Sequence, residues 1–308
     1  MNINLIVEPR KTYSWDEFKT KKPEFSISLD GFVNDKTQRE EKGPYANFDH
    51  HMDADRGSTL STCMQVYEEI NMGLFDTFRK NGIPTAHIYV NDPDEDTCLS
   101  WWELKHHELV RDHGNPRINR LVTIEDKLDR HAGGYPLGET KFRRQMAWIF
   151  QPYNEDRFQG KISSLDATGM YTLIEAVCSR ISEHIFNEGE EISLEGHYER
   201  LGGGAGWSLV KETGPASRIA MYNDGITAYA RLVAQTNAGS YVYTLGRKSC
   251  WTRYNLPELY NTLNEVETEI ITPANCWGGS NTIGGSPRET GSKLSPEELE
   301  KIINKVIF

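Results

Sequence analysis

Ala86-His87-Ile88-Tyr89-Val90 runs into the acidic segment Asn91-Asp92-Pro93-Asp94-Glu95-Asp96, and helical spacing resumes at about 97–110. A compact apolar run that ends in a turn and is followed by a helix is the pattern of a buried strand feeding a crossover. The same unit occurs earlier in the chain. Phe25-Ser26-Ile27-Ser28-Leu29 alternates with period two and stops at Asp30-Gly31, and Tyr45 to Phe48 stops at Asp49. Residues 58–72 then place Leu60, Met64, Val66, Tyr67 and Ile70 at helical intervals, with a helix start expected at Ser58-Thr59. This alternation predicts an α/β fold built on a mainly parallel sheet flanked by helices.

Further helices are expected at 137–150 and 165–187, the second with a long amphipathic stripe ending near Asn187-Glu188-Gly189. From Gly202 onward the chain changes to short alternating runs, Trp207 to Val210, Arg218 to Tyr222 and Ser240 to Leu245, separated by Gly, Asn and Pro turns. The change predicts two domains, 1–195 and a smaller α+β domain at 196–308. Helices at about 256–267 and from Ser295, where Ser295-Pro296-Glu297-Glu298 supplies an N-cap and early acids, complete the second domain.

The 308 residues are enough for two domains, and their 34 basic and 45 acidic side chains give a net charge of −11. That balance argues against a basic surface that grips long duplex nucleic acid. No apolar run is long enough to span a bilayer and the N-terminus lacks a signal-peptide pattern, so a cytoplasmic protein without a membrane partner is expected. Cys63, Cys98, Cys178, Cys250 and Cys276 are scattered without a C-x-x-C pair and are expected to be reduced core residues.

Asp30, Asp49-His50-His51, Asp92, Asp94, Asp96 and Asp126 all fall where the reading puts carboxyl ends of strands. Ligands gather at that edge of an open α/β sheet, and carboxylates brought together there need a cation to hold their charge. Oxygen-rich ligation with a few imidazoles suits Mn²⁺ or Mg²⁺, and several carboxylates point to two ions. Other motifs read more plainly. His106-His107-Glu108 lacks the second His of H-E-x-x-H and is read as an exposed helix face, and Trp101-Trp102 is read as core. Gly202 to Gly206 lacks the Lys of a phosphate loop and is read as a hairpin or domain-entry loop.

Asp49-His50-His51, with a strand-ending Asp30 before it and a helix after it, resembles the signature of the DHH family of phosphoesterases. Asn91 to Ser100 is similar to that family's N-P-D-G-D-A-x-x-S loop, and Leu121-Val122-Thr123-Ile124-Glu125-Asp126 to the strand that supplies its last aspartate. Leu245-Gly246-Arg247-Lys248-Ser249 and the glycine-rich run Gly278 to Ser292 resemble its smaller C-terminal domain, so the resemblance spans most of residues 25–300.

The resemblance implies Asp30, Asp49, Asp94, Asp96 and Asp126 as metal carboxylates, with His50 and His51 as ligand or proton donor beside the phosphate. It further implies that Arg247, Gly284, Gly285, Ser286 and Arg288 contact substrate, with chemistry between the domains. The expected activity is metal-dependent hydrolysis of a small phosphorylated or nucleotide substrate, up to a short oligonucleotide. The alternative is a nucleotide- or phosphate-binding protein that keeps the fold without turnover. A homo-oligomer is compatible with the sequence and not specified by it.

Overall fold

A computed structural model describes residues 2–307 apart from 41, 53, 138–139, 195, 215, 237–238 and 273–274. The chain is mixed α/β and divides into two compact units, Met1–Arg130 with Leu137–Ser193, and His131–Pro136 with Leu194–Phe308.

In the first unit the strands are β1 (Asn2–Val7), β2 (Ser26–Leu29), β3 (Gln38–Glu40), β4 (Tyr45–Phe48), β5 (Arg79–Lys80) and β6 (Ile83–Val90). They lie in the order β1-β6-β2-β4-β3, with β5 paired to β6. The β1/β6, β6/β2 and β2/β4 pairs are parallel, while β3 and β5 run antiparallel to their neighbours. The period-two alternation has a direct consequence here. Ile27, Leu29, Ala46, Phe48, Ala86, Ile88 and Val90 enter the main core, while Tyr89 joins Phe18, Phe32 and Val33 in a smaller cluster.

Helices of this unit are α1 (Trp15–Lys21), α2 (Thr62–Asn71), α3 (Leu74–Thr77), α4 (Glu95–Lys105), α5 (His107–Val110), α6 (Pro116–Arg130), α7 (Thr140–Ile149), α8 (Gln151–Phe158) and α9 (Ala167–Asn187). The strands at 26–29, 45–48 and 83–90 and the helices that follow them lie largely where the periodicity places them, whereas β1, α1, β3, α3 and β5 have no counterpart in that reading, and two expected elements differ. The helix after Asp49 begins at Thr62, not Ser58-Thr59, because Ser61 is its N-cap and accepts from Met64 N. Residues 121–126, expected as a strand, lie inside α6. Ile118, Leu121, Val122 and Glu125 are buried there at helical spacing, and this 3.6-residue stripe overrides the local β preference of Val, Thr and Ile.

His107 is buried and packs on the Phe75 ring at 4.1 Å, so the face expected to be exposed is interior on that side. Trp101 and Trp102 are core, as are Cys63, Cys98 and Cys178; Cys250 is exposed and Cys276 half-buried.

The second unit holds β7 (Tyr198–Gly204), β8 (Trp207–Glu212), β9 (Ala228–Gln235), β10 (Tyr241–Arg247), β11 (Gly278–Gly279) and β12 (Ile283–Gly285), with α10 (Ser217–Asn223), α11 (Leu256–Val266) and α12 (Pro296–Val306). Its sheet order is β11-β12-β10-β9-β8-β7, and β8/β9 is the parallel pair. Residues 218–222, expected as an alternating run, are helical in α10, where Ser217, Met221 and Tyr222 turn one face inward. Gly202 to Gly206 is a hairpin: β7 and β8 pair antiparallel up to Gly204↔Trp207. No helix among the described residues is long and apolar enough to cross a membrane.

Candidate metal centre

The strand register assembles the acidic edge. Leu29 pairs with Phe48 across β2/β4, and Asp30 N donates to Phe48 O at 3.0 Å, so Asp30 and Asp49 leave the sheet side by side. Ser28 pairs with Tyr89 across β2/β6, which brings the 91–96 turn out at the same edge. Asp30 takes φ 46°, a left-handed backbone that aspartate tolerates better than β-branched residues, and Gly31 follows at φ 80°.

His50 is the centre of the arrangement. Its Nε2 lies 3.1 Å from Asp129 Oδ2, 3.6 Å from Asp30 Oδ1 and 3.7 Å from Asp96 Oδ2. Neither ring nitrogen makes a hydrogen bond, and Asp129 Oδ2 and Asp49 Oδ2 are also buried without one. Burial, assisted by the charges of Arg56 and His51, holds His50 well below the usual imidazole range, so the ring is neutral and presents a lone pair. His51 lies at the exposed side, with Nδ1 2.9 Å from Asp49 Oδ1 and 3.5 Å from Asp30 Oδ1. Two sets of ligand atoms, Asp30/His50/His51 and His50/Asp96/Asp129, each gather within 4.8 Å.

The acids sit in different fields. Burial, reinforced by Asp94, Asp96, Asp129 and Asp49, pushes Asp30 well above the carboxylate range. Burial together with Asp129 and Asp94 does the same to Asp96, against the N–H of Cys63. Burial also raises Asp49, but the His51 hydrogen bond and charge outweigh it and leave that carboxyl lowered. Buried carboxylates crowded together, with unpartnered oxygens and a buried imidazole among them, form a donor set that could hold a metal ion.

Several of these side chains also hold the fold. Asp96 receives Thr62 N at 2.7 Å and Cys63 N at 2.6 Å, completing the N-terminus of α2. Thr62 Oγ1 donates to Asp30 Oδ1 at 2.9 Å. Asp94 is the N-cap of α4, accepting from Thr97 N at 2.9 Å, and its charge reaches Asp30 and Asp96.

Asp126 has a different place from the one expected. Its Oδ1 accepts from Ser61 N at 2.9 Å and its Oδ2 from Arg130 Nη2 at 2.8 Å, so both oxygens are committed to helix contacts. The carboxylate that meets His50 is Asp129, one helical turn later. The signal in the sequence was the i,i+3 spacing, which puts Asp126 and Asp129 on neighbouring positions of one face once α6 is recognised as a helix.

In the second unit Gly284 and Gly285 pair with Leu245 and Thr244 across β12/β10, and a Cβ on Gly284 would fall on the Tyr260 hydroxyl and the Gly278 carbonyl. Ser286 exchanges backbone and hydroxyl hydrogen bonds with Tyr243, at 3.0 Å each. Arg247 donates from Nε to Asn281 O at 2.6 Å and from Nη1 to Thr252 O at 3.2 Å, on the wall of a cavity of about 490 Å³ that also holds Trp251 and Arg253. Arg288 is exposed. Comparison with protein-family models, with curated proteins and with solved structures finds no match for this chain.

Proposed function

We propose that this protein is a metal-dependent phosphoesterase acting on a small phosphorylated or nucleotide substrate. The observation that carries the reading is the buried His50, whose Nε2 faces carboxylate oxygens of Asp30, Asp96 and Asp129 without a hydrogen bond to any. The resemblance of Asp49-His50-His51 and the 91–100 loop to the DHH phosphoesterases points the same way. Asp30, Asp49, Asp96 and Asp129 with His50 are the residues proposed to hold the metal, with Asp94 closing the turn beside them. A divalent ion, Mn²⁺ by preference, would supply an activated water and polarise the phosphoryl group at neutral pH.

The chain's own groups have separate tasks in this reading. Asp49 Oδ1 holds His51 through Nδ1, which leaves Nε2 of this exposed ring facing outward, where the doubly protonated imidazolium would pass its Nε2 proton to the leaving oxygen and become the neutral Nδ1–H form. Burial around His50 excludes water and keeps the donor set rigid. Arg247, Gly284, Gly285, Ser286 and Arg288 are proposed as substrate contacts, the arginines through their guanidinium groups. The charge of −11 favours a mononucleotide, a dinucleotide, a short oligonucleotide or a polyphosphate over long duplex.

The test is hydrolysis by the full chain, stripped by chelator and reloaded with Mn²⁺, of bis-p-nitrophenyl phosphate, short oligoribonucleotides, cyclic dinucleotides and pyrophosphate. Turnover that is lost in Asp49→Asn and His50→Ala is expected. A metal-loaded protein that cleaves none of them sinks the enzyme reading. One observation favours the second reading, a binding protein without turnover: Asp94 and Asp96 are both already engaged as helix caps. That reading expects Mn²⁺ and nucleotide to raise the melting temperature while no product forms.

A further inference from the structure

Arg56 stands five residues beyond His51, in the segment between β4 and α2, and is 7% exposed. A guanidinium carries five N–H donors, and burying it is costly unless they are used. Among the described residues, one hydrogen bond is made: Nη1 donates to the Asp129 carbonyl at 3.4 Å. The same nitrogen is 3.7 Å from Asp129 Oδ2, beyond hydrogen-bond reach, and Nε is buried with no partner.

Its main chain, by contrast, is clamped. Arg130 Nη1 donates to the carbonyls of Gly57 at 3.1 Å and Arg56 at 3.5 Å, while Arg130 Nη2 is anchored on Asp126. Gly57 N donates to Asp55 Oδ1 at 2.8 Å. A buried guanidinium with unused donors, on a main chain that Arg130 holds, thus stands beside the Asp129 and His50 wall of the candidate metal centre. Donors fixed in advance where an anion is to sit stabilise it without reorganisation, and a planar guanidinium matches two oxygens of a tetrahedral oxyanion.

We infer that Arg56 is an oxyanion-binding residue whose free N–H groups take phosphoryl oxygens of a ligand held at the metal centre. The inference rests on the phosphoesterase reading for its metal centre, and it adds a residue that the sequence motifs do not contain. The competing role is plain charge balance against Asp129. The two roles are separated by a lysine at this position: it keeps the charge that balances Asp129 but lacks the planar fork that would hold two phosphoryl oxygens.

The experiment is calorimetric titration of inorganic phosphate into the full chain saturated with Mn²⁺, for wild type, Arg56→Gln, Arg56→Lys and the exposed control Arg39→Gln. Loss of charge-assisted hydrogen bonds predicts phosphate binding weaker by about tenfold to a hundredfold in Arg56→Gln, with Mn²⁺ affinity unchanged or tighter. Arg56→Lys, which keeps the charge and loses the fork, should fall between, and Arg39→Gln should match wild type. If Arg56→Gln does not fold, Arg56→Lys with an unchanged melting temperature decides. Wild-type phosphate affinity in the Arg56 variants overturns the inference, as does a wild type that takes no Mn²⁺ or, with Mn²⁺, no phosphate. Phosphate binding that depends on Arg56 in a protein that cleaves no ester leaves the inference standing and removes the phosphoesterase reading. Ester hydrolysis with unchanged kcat and KM in Arg56→Gln does the reverse.

Discussion

Replacing Asp126 and Asp129 one at a time separates a fold-holding carboxylate from one proposed to hold a cation, only three residues away. Asp126 is 2% exposed and satisfies Ser61 N at 2.9 Å and Arg130 Nη2 at 2.8 Å. Asp126→Ala strands both donors in the interior, and breaking a buried pair from one side costs about 3–5 kcal/mol. For a unit of this size that is a fall in melting temperature of roughly 6–20 °C, with or without metal.

Asp129→Asn keeps the shape and removes one charge from a set in which Asp129 is already pushing Asp30 and Asp96 upward. In chelator this variant should melt at or slightly above wild type. If the proposed centre binds Mn²⁺, about a hundredfold excess over its dissociation constant should add about 2.7 kcal/mol to wild type, and Asp129→Asn should lose most of that gain. The assay is thermal denaturation of the three proteins in chelator and in Mn²⁺. If Asp126→Ala melts with wild type in chelator, the helix-holding role of Asp126 is wrong. If Asp129→Asn keeps the whole Mn²⁺ shift, Asp129 is no ligand and the centre must be redrawn.

Other consequences are open to direct measurement. Glu103 is fully buried with neither oxygen partnered, and burial with the Asp96 charge pushes it well above its ordinary value of 4.5. The folded state then keeps a proton that the unfolded chain releases, so stability falls as pH rises from 4.5 towards the raised value. Glu103→Gln should show a flatter decline in denaturant titrations across that window; a slope equal to wild type would mean that Glu103 titrates normally in the folded protein. Gly284→Ala drives a methyl into Tyr260 and the Gly278 carbonyl and should cost about 1–3 kcal/mol, seen as earlier urea unfolding of the second unit by hydrogen exchange of the β10 and β12 amides. An unshifted urea midpoint would show that β12 has room to give. Ser295→Ala removes a capping box at α12 and should cost about 1 kcal/mol, read from the same unfolding curve; no change would mean that this helix end is held by its packing alone.

Periodicity and turn chemistry carried a large share of the first unit. The alternation of 25–29, the stops at Asp30, Asp49 and Asp94, and the apolar stripe of 165–187 are local patterns, and each maps onto β2, the acidic edge or α9 with small boundary shifts. The gathering of Asp30, Asp49, His50, Asp94 and Asp96 follows from the same information, because parallel strands that end in the same kind of turn end at one edge. The reading failed where two signals competed. Leu121 to Asp126 has β-forming residues within a helical stripe, and its assignment depends on which face finds a core. The same holds for 218–222, whose short run has both periods in it.

What the amino-acid sequence determines by itself is the chemistry available and its spacing: carboxylates and imidazoles behind apolar strands, a glycine-rich second half, and an acidic net charge. Only the tertiary structure decides which of those groups are spent. Asp126 has the residue type of a ligand but is consumed by Ser61 and Arg130, whereas Asp129 comes from a remote helix to meet His50 and Arg56, and Asp129 and Arg56 both keep atoms unsatisfied. The physical reason is that satisfaction of a buried polar atom is a property of its three-dimensional neighbours, and contacts between residues 50, 56 and 129 depend on how α6 packs beside α2, which no local pattern encodes.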